Sequence, residues 1–143
     1  MPDLPERLDD LARLLVGLPW WRWMPGMLSR CSTDTRRAVY RWLVGLDTRH
    51  YGLVCVVQDK HGRPCRNVAT LQPGPDDLPD LTDPATLGCL RAIVSELVGG
   101  PVSIRWVPHL VGGVWYAETP GALQARGPTE AHALIALALQ VTP

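Results

Sequence analysis

At 143 residues, 46 % apolar and 20 % charged, the chain has room for one sizeable core and the composition of a globular protein, which argues against disorder. No apolar run approaches the roughly 20 residues that cross a bilayer, and the acidic start (Asp3, Glu6, Asp9, Asp10) is unlike a secretion signal, so a cytoplasmic protein is expected. Fourteen basic and fourteen acidic groups cancel overall but not locally: residues 1–18 carry −2, residues 19–72 carry +6 and residues 73–143 carry −4. A basic middle between acidic flanks reads first as two faces that meet in the fold, and second as the footprint of an anionic partner.

Leu4 to Leu18 reads as a first helix, with Leu8, Leu11, Leu14 and Leu15 on one stripe, Asp3 as cap and Pro5 in the first turn. Gly17 and Pro19 end it. There follows the most unusual stretch of the chain, Pro19-Trp20-Trp21-Arg22-Trp23-Met24-Pro25-Gly26-Met27. Its prolines and glycine exclude a helix, so a strand or loop must present the tryptophans, and a core-forming strand is the reading. On a strand Trp21 and Trp23 share one face while Trp20 and Arg22 share the other. Exposed aromatics mark interfaces, which makes Trp20, Arg22 and Trp23 the candidate partner-binding residues.

Residues 36–45 fit a helical stripe (Ala38, Val39, Trp42, Leu43) and strand alternation (Ala38, Tyr40, Trp42, Val44) equally well; the turn-like Asp47-Thr48-Arg49-His50 favours the strand. Tyr51 to Gln58 is a strand apolar on both faces, hence interior to its sheet. Asp59-Lys60-His61-Gly62 is a hairpin loop, and Arg63 to Leu71 returns as its partner, with Pro64 confining that strand's start to an edge. Gln72 to Asp83 is an acidic, proline-rich connector that cannot hold regular structure. It separates a basic β-rich half from an acidic α/β half of a single domain spanning residues 1–143.

The helix Pro84–Val98 carries the strongest local signals: Thr82 or Asp83 as cap, Pro84 at the first position, and Gly99-Gly100 at the end. Leu87, Leu90, Ile93, Val94 and Leu97 form its buried stripe. Strands follow at Val102–Val107 and Val114–Glu118, with Trp115 and Ala117 on one face, and a short one at Ala122–Ala125. A last helix starts within Gly127-Pro128-Thr129-Glu130, with Pro128 and Glu130 in its first turn, and runs to about Leu139, with Ala131, Leu134, Ile135, Ala138 and Leu139 facing inward. The expected fold is α+β, with an antiparallel sheet of about five or six strands packed with three helices.

Nothing in the sequence assembles a catalytic constellation. There is no phosphate-cradling glycine loop, no serine lies in a Gly-x-Ser-x-Gly elbow, and the four histidines are dispersed. The cysteines (Cys31, Cys55, Cys65, Cys89) lack Cys-x-x-Cys spacing and read as free thiols, and Asp76, Asp77, Asp80 and Asp83 lack the glycine and terminal glutamate of a calcium loop. No metal, cofactor or enzymatic activity is expected, and the remaining signal is binding. The partner is expected to be a protein, without membrane involvement; a homodimer is compatible with this. The alternative is nucleic acid, with Arg36, Arg37, Arg41, Arg63 and Arg66 on phosphates and the tryptophans stacked on bases.

The blocks Arg22-Trp23-Met24-Pro25-Gly26-Met27, Pro79-Asp80-Leu81-Thr82-Asp83-Pro84-Ala85-Thr86-Leu87-Gly88-Cys89-Leu90 and Thr129-Glu130-Ala131-His132-Ala133-Leu134 resemble small uncharacterised proteins of bacteriophage and prophage genomes. That resemblance implies a phage origin and no particular activity; residues 30–71 look like an addition to the pattern. More locally, Trp115-Tyr116-Ala117-Glu118-Thr119-Pro120-Gly121 with Gly127-Pro128-Thr129-Glu130-Ala131 resembles the strand–strand–helix end of HicB-type antitoxins, which carry a degenerate double-stranded-RNA-binding fold and bind a partner protein. Thr129 to Leu139 contains no Lys or Arg, which argues against RNA binding by this end.

Overall fold

In the computed structural model the described residues are 3–31, 39–44, 53–58, 64–67 and 77–142, with side chains described for 3–29 and 77–142. The elements run α1 (Leu8–Val16), β1 (Leu28–Cys31), β2 (Val39–Val44), β3 (Leu53–Gln58), β4 (Pro64–Asn67), β5 (Asp77–Pro79), α2 (Pro84–Val98), β6 (Ser103–Pro108), β7 (Gly113–Glu118), β8 (Gln124–Gly127) and α3 (Glu130–Val141). The fold is α+β. By internal contacts the chain divides into two compact units, residues 12–86 and residues 1–11 with 87–143.

The strands form two antiparallel sheets instead of the expected single one of about five or six strands packed with three helices. In residues 12–86 the order is β4-β3-β2-β1-β5, and in residues 87–143 it is β6-β7-β8. The split follows from pairing distance. β6 closes a local hairpin with β7, whereas β5 reaches back to β1 (Ser29↔Pro79, Arg30↔Leu78), so α2 lies between strands of different sheets.

β5 also corrects the reading of Gln72–Asp83 as a connector without regular structure. Its Leu78 and Pro79 are buried, and as an edge strand it tolerates a proline. Residues 72–76 lie outside the described residues. Within 39–44 the strand wins over the helix, since β2 pairs with both β1 and β3. β3 is interior, and β4 is the edge that Pro64 requires. The hairpin loop 59–62, including His61, lies outside the described residues.

α1 spans Leu8–Val16, starting four residues after the expected Leu4, at the first leucine of its stripe. Pro5 precedes the helix because its carbonyl is taken by the ring of His132, at 2.8 Å. α2 has the expected bounds. Asp83 caps it, its Oδ2 accepting the backbone N–H (2.8 Å) and the hydroxyl (2.9 Å) of Thr86. At the other end Gly99 (φ 74°) donates its N–H to Glu96 O and Gly100 donates to Ser95 O, a Schellman closure that needs a left-handed residue at 99. Leu90, Ile93 and Val94 are fully buried, joined by Thr86 where an apolar residue would be expected.

In the unit formed by residues 1–11 and 87–143, β6, β7 and β8 form a meander with register Ile104↔Ala117↔Ala125 and Trp106↔Trp115↔Gly127. α3 packs on β7 and β8. A β-carbon at Gly127 would collide with Cβ of His132 and lie 2.9 Å from Ala133 N, so the strand end at 127 and the first turn of α3 touch backbone to backbone. That contact puts Ala117, Ala125, Trp115 and Trp106 on the helix side of the sheet and Arg105, Tyr116 and Arg126 on the other. α3 is buried from Ala131 through Ala138 on every side, beyond the single inward stripe expected, and Leu139 is only half-buried.

Candidate interaction surface

The Trp20–Met27 stretch is built as a turn-and-loop segment, and the ladder of β1 begins only at Leu28, so the core-forming strand expected there is absent. Met27 N–H donates to Met24 O at 3.2 Å and Gly26 has φ 95°, the geometry of a type II turn with Pro25 and Gly26 at its centre. Proline fixes the first of these dihedrals and glycine permits the second, which is why this dipeptide stops the segment. Met27 is fully buried, and its sulfur accepts the N–H of Met24.

The tryptophans of this segment are partly buried. Trp21 and Trp23 meet edge to face, 5.6 Å between centroids and 75° between planes, as residues two apart on extended backbone should. Trp20, Trp21 and Trp23 are each half-buried, and Arg22 is exposed. The indole N–H groups of Trp20 and Trp21 and the hydroxyl of Ser29 are buried without a hydrogen-bond partner among the described residues. Each such orphan costs about 1–3 kcal/mol, a penalty that indole burial must offset. The candidate residues Trp20, Arg22 and Trp23 therefore lie together on one segment whose aromatic part is half inside.

Of the alternative set, Arg41 lies in β2 opposite Leu28 and Val56, and Arg66 lies in β4 where the register with β3 shifts between Val56 and Val57. Arg36, Arg37 and Arg63 lie outside the described residues.

The clearest exposed apolar surface is elsewhere. Among the described residues the exposed large apolar side chains are Trp106, Leu110, Val111 and Val141, and the first three belong to the β6–β7 hairpin. His109 N–H donates to Gly112 O at 2.7 Å and Gly112 has φ 83°, so Leu110 and Val111 sit at the tip of a closed turn that leaves both nearly bare. Trp106 is 52 % exposed and lies over Gly113, where the absence of a β-carbon makes room for the ring. One face of the indole is thus seated and the other offered to solvent. From Trp106 to Ala117 the sequence holds no Asp, Glu, Lys or Arg. Sequence reasoning passed over this hairpin; the signal it had was that uncharged run around a turn.

The opposite side of the sheet is polar. Arg105 pairs with Glu118 through its Nε, and its guanidinium carbon stands 4.7 Å from the centre of the Tyr116 ring. The Arg105 hydrogen bond holds the Glu118 carboxyl below its ordinary value; desolvation opposes it, and a hydrogen bond from Gln124 at 3.1 Å and the charge of Arg105 add to the lowering.

A cleft of ≈ 270 Å³ lined by Leu4, Glu6, Arg126, Gly127, Pro128, Ala136 and His132 is the place where an acid–base group would be sought. His132 is almost fully buried and both ring nitrogens are committed: Nε2–H donates to Pro5 O, and Nδ1 lies 2.7 Å from the hydroxyl of Thr129. The Thr129 oxygen in turn accepts the His132 backbone N–H as the cap of α3. The ring is held at both nitrogens, which makes His132 a structural bolt. Among the described residues no three His, Cys, Asp or Glu groups lie where they would hold a metal ion, and no helix is long and apolar enough to cross a membrane.

No family model, curated protein or solved structure matches this chain.

Proposed function

We propose that this is a small phage-encoded accessory protein that acts without catalysis, by binding a protein of the bacterial host. The observation that carries the binding part is the β6–β7 hairpin, whose uncharged tip leaves Trp106, Leu110 and Val111 in solvent. Exposed aromatic and aliphatic side chains on a rigid support are the usual anchors of protein interfaces, and a surface without charge has nothing to offer a phosphate backbone. The phage and host parts rest on the three sequence blocks quoted above. Inhibition of a bacterial defence system is the specific role proposed, and it rests on the kind of genome and not on any residue.

The test is affinity capture from bacterial lysate with the wild-type chain and a Leu110→Asp/Val111→Asp variant of unchanged circular dichroism. A partner held by the wild type and lost by the variant is the expected result. Equal capture by both would move the surface back to Trp20, Arg22 and Trp23, where Trp20→Ala and Trp23→Ala decide.

A second reading, nucleic-acid binding, is favoured by one observation: residues 19–72 hold nine basic and three acidic groups. It requires an affinity that falls steeply with salt, and no shift of single- or double-stranded DNA or RNA at low salt would eliminate it.

A further inference from the structure

Among the described residues β6 pairs only with β7, which leaves one side of its backbone, from Ser103 to Pro108, without a strand partner there. α3 packs on β7 and β8, and Ser103, Arg105, Trp106 and Pro108 are all exposed. Unpaired N–H and C=O groups in a row are a template for another strand, and proteins guard such edges with charge and proline. Arg105 in the middle and Pro108 at the end supply that guard, leaving residues 103–107 available to a selected partner.

We propose that β6 is where the partner is gripped: an extended segment of the partner protein adds to the sheet as a fourth strand. The proposal rests on the reading that the chain acts by binding a protein, and it names the kind of segment bound. Side-chain rows across the sheet fix its chemistry, because an added residue shares the face of the β6 residue it pairs with. On the helix side the new strand meets Ile104 and the free face of Trp106, which calls for aliphatic side chains. On the other side it meets Arg105. Glu118 takes the Nε of that guanidinium, and the two terminal nitrogens have no partner among the described residues. A carboxylate on the added strand would accept hydrogen bonds from them, sharing the guanidinium with Glu118. The segment is therefore extended and alternates aliphatic with acidic residues. A second copy of this chain fits less well, since antiparallel self-pairing centred on Arg105 sets two guanidinium groups opposite each other.

The probe is a blocked seven-residue peptide alternating valine and aspartate, titrated into ¹⁵N-labelled protein, beside an analogue N-methylated at alternate residues. The expected result is chemical-shift change centred on residues 103–107 with protection of β6 amides from exchange. The methylated analogue should bind at least about tenfold more weakly, and Arg105→Gln should weaken the parent peptide and remove its salt dependence. No binding up to about 1 mM, equal binding of the methylated analogue, or shifts centred elsewhere would each overturn strand addition. So would β6 amides already protected in a dimer of the free protein. If the peptide fails while lysate capture still depends on Leu110 and Val111, the hairpin surface stands and only the strand grip falls.

Discussion

The indole of Trp106 lies over the backbone of Gly113, its diagonal neighbour across the β6–β7 hairpin, so closely that a β-carbon at 113 would run into the ring. The glycine is required there for space, since its backbone is ordinary extended strand; the glycine required for conformation is the adjacent Gly112. Together they hold an aromatic platform in one orientation before any partner arrives.

Gly113→Ala should lift that platform. The colliding group is an exposed ring that can swing aside, so the melting temperature is expected to stay within a few degrees. Partner capture is expected to fall about tenfold, because a seated anchor becomes a mobile one. Competition binding with the captured partner, read beside a thermal melt, checks both halves.

Thr86 is fully buried, and its hydroxyl accepts the Leu28 N–H at 2.8 Å while donating to Asp83 at 2.9 Å. Thr86→Val keeps the shape and orphans the first N–H of β1, for an expected loss of roughly 1–3 kcal/mol in urea unfolding. Thr86→Ser should retain most of the stability. If valine costs nothing, the hydroxyl is not what joins the strand to the helix start.

Gly127→Ala drives a methyl group into the first turn of α3, with backbone at 2.9 Å, and no side chain can move out of its way. A loss of about 3 kcal/mol or more is expected, larger than for Gly113→Ala despite the identical chemical change. His132→Ala should cost a comparable amount, since it frees the Pro5 carbonyl and opens a cavity. Denaturant melts of the three variants side by side test the ranking.

The depressed pKa of Glu118 fixes the sign of a pH effect. A carboxyl with a folded value below its ordinary 4.5 contributes stability that is present above about pH 4.5 and lost as pH falls through the lowered value. Wild type should therefore exceed Glu118→Gln in melting temperature at pH 7, with the gap closing as the carboxyl is protonated at acid pH. The pair is solvent-accessible, so the gap is small and shrinks further in 1 M salt. A carbon-detected titration of Glu118 with its midpoint at or above 4.5 would contradict this assignment.

How much of this was legible in the chain depends on how far each signal had to reach. α2 was readable to the residue because Asp83, Pro84 and Gly99-Gly100 all act within one turn of the ends they define. The turn at Pro25-Gly26 is local in the same way. α1 was misjudged at its start because what holds Pro5 outside the helix is a ring 127 positions away. β5 was hidden inside a proline-rich connector because its strand character exists only through β1, and the same long-range pairing divides the strands into two sheets. Exposure of Trp106 was beyond the sequence altogether. Alternation placed Trp115 and Ala117 correctly on one face, and Trp106 shares it, but how far α3 extends over that face is a matter of packing.

The hydrogen bond between His132 and Pro5 has a bearing on timing as well as on stability. Pro5 leaves the ribosome 127 residues before His132, and its carbonyl must wait until α3 has been made before it meets the imidazole. The intervening strands β1 and β5 have by then emerged and can pair first. The segment around Pro5 is thus locked long after it is made, and maturation of its unit should be slow, set by long-range closure rather than by helix formation.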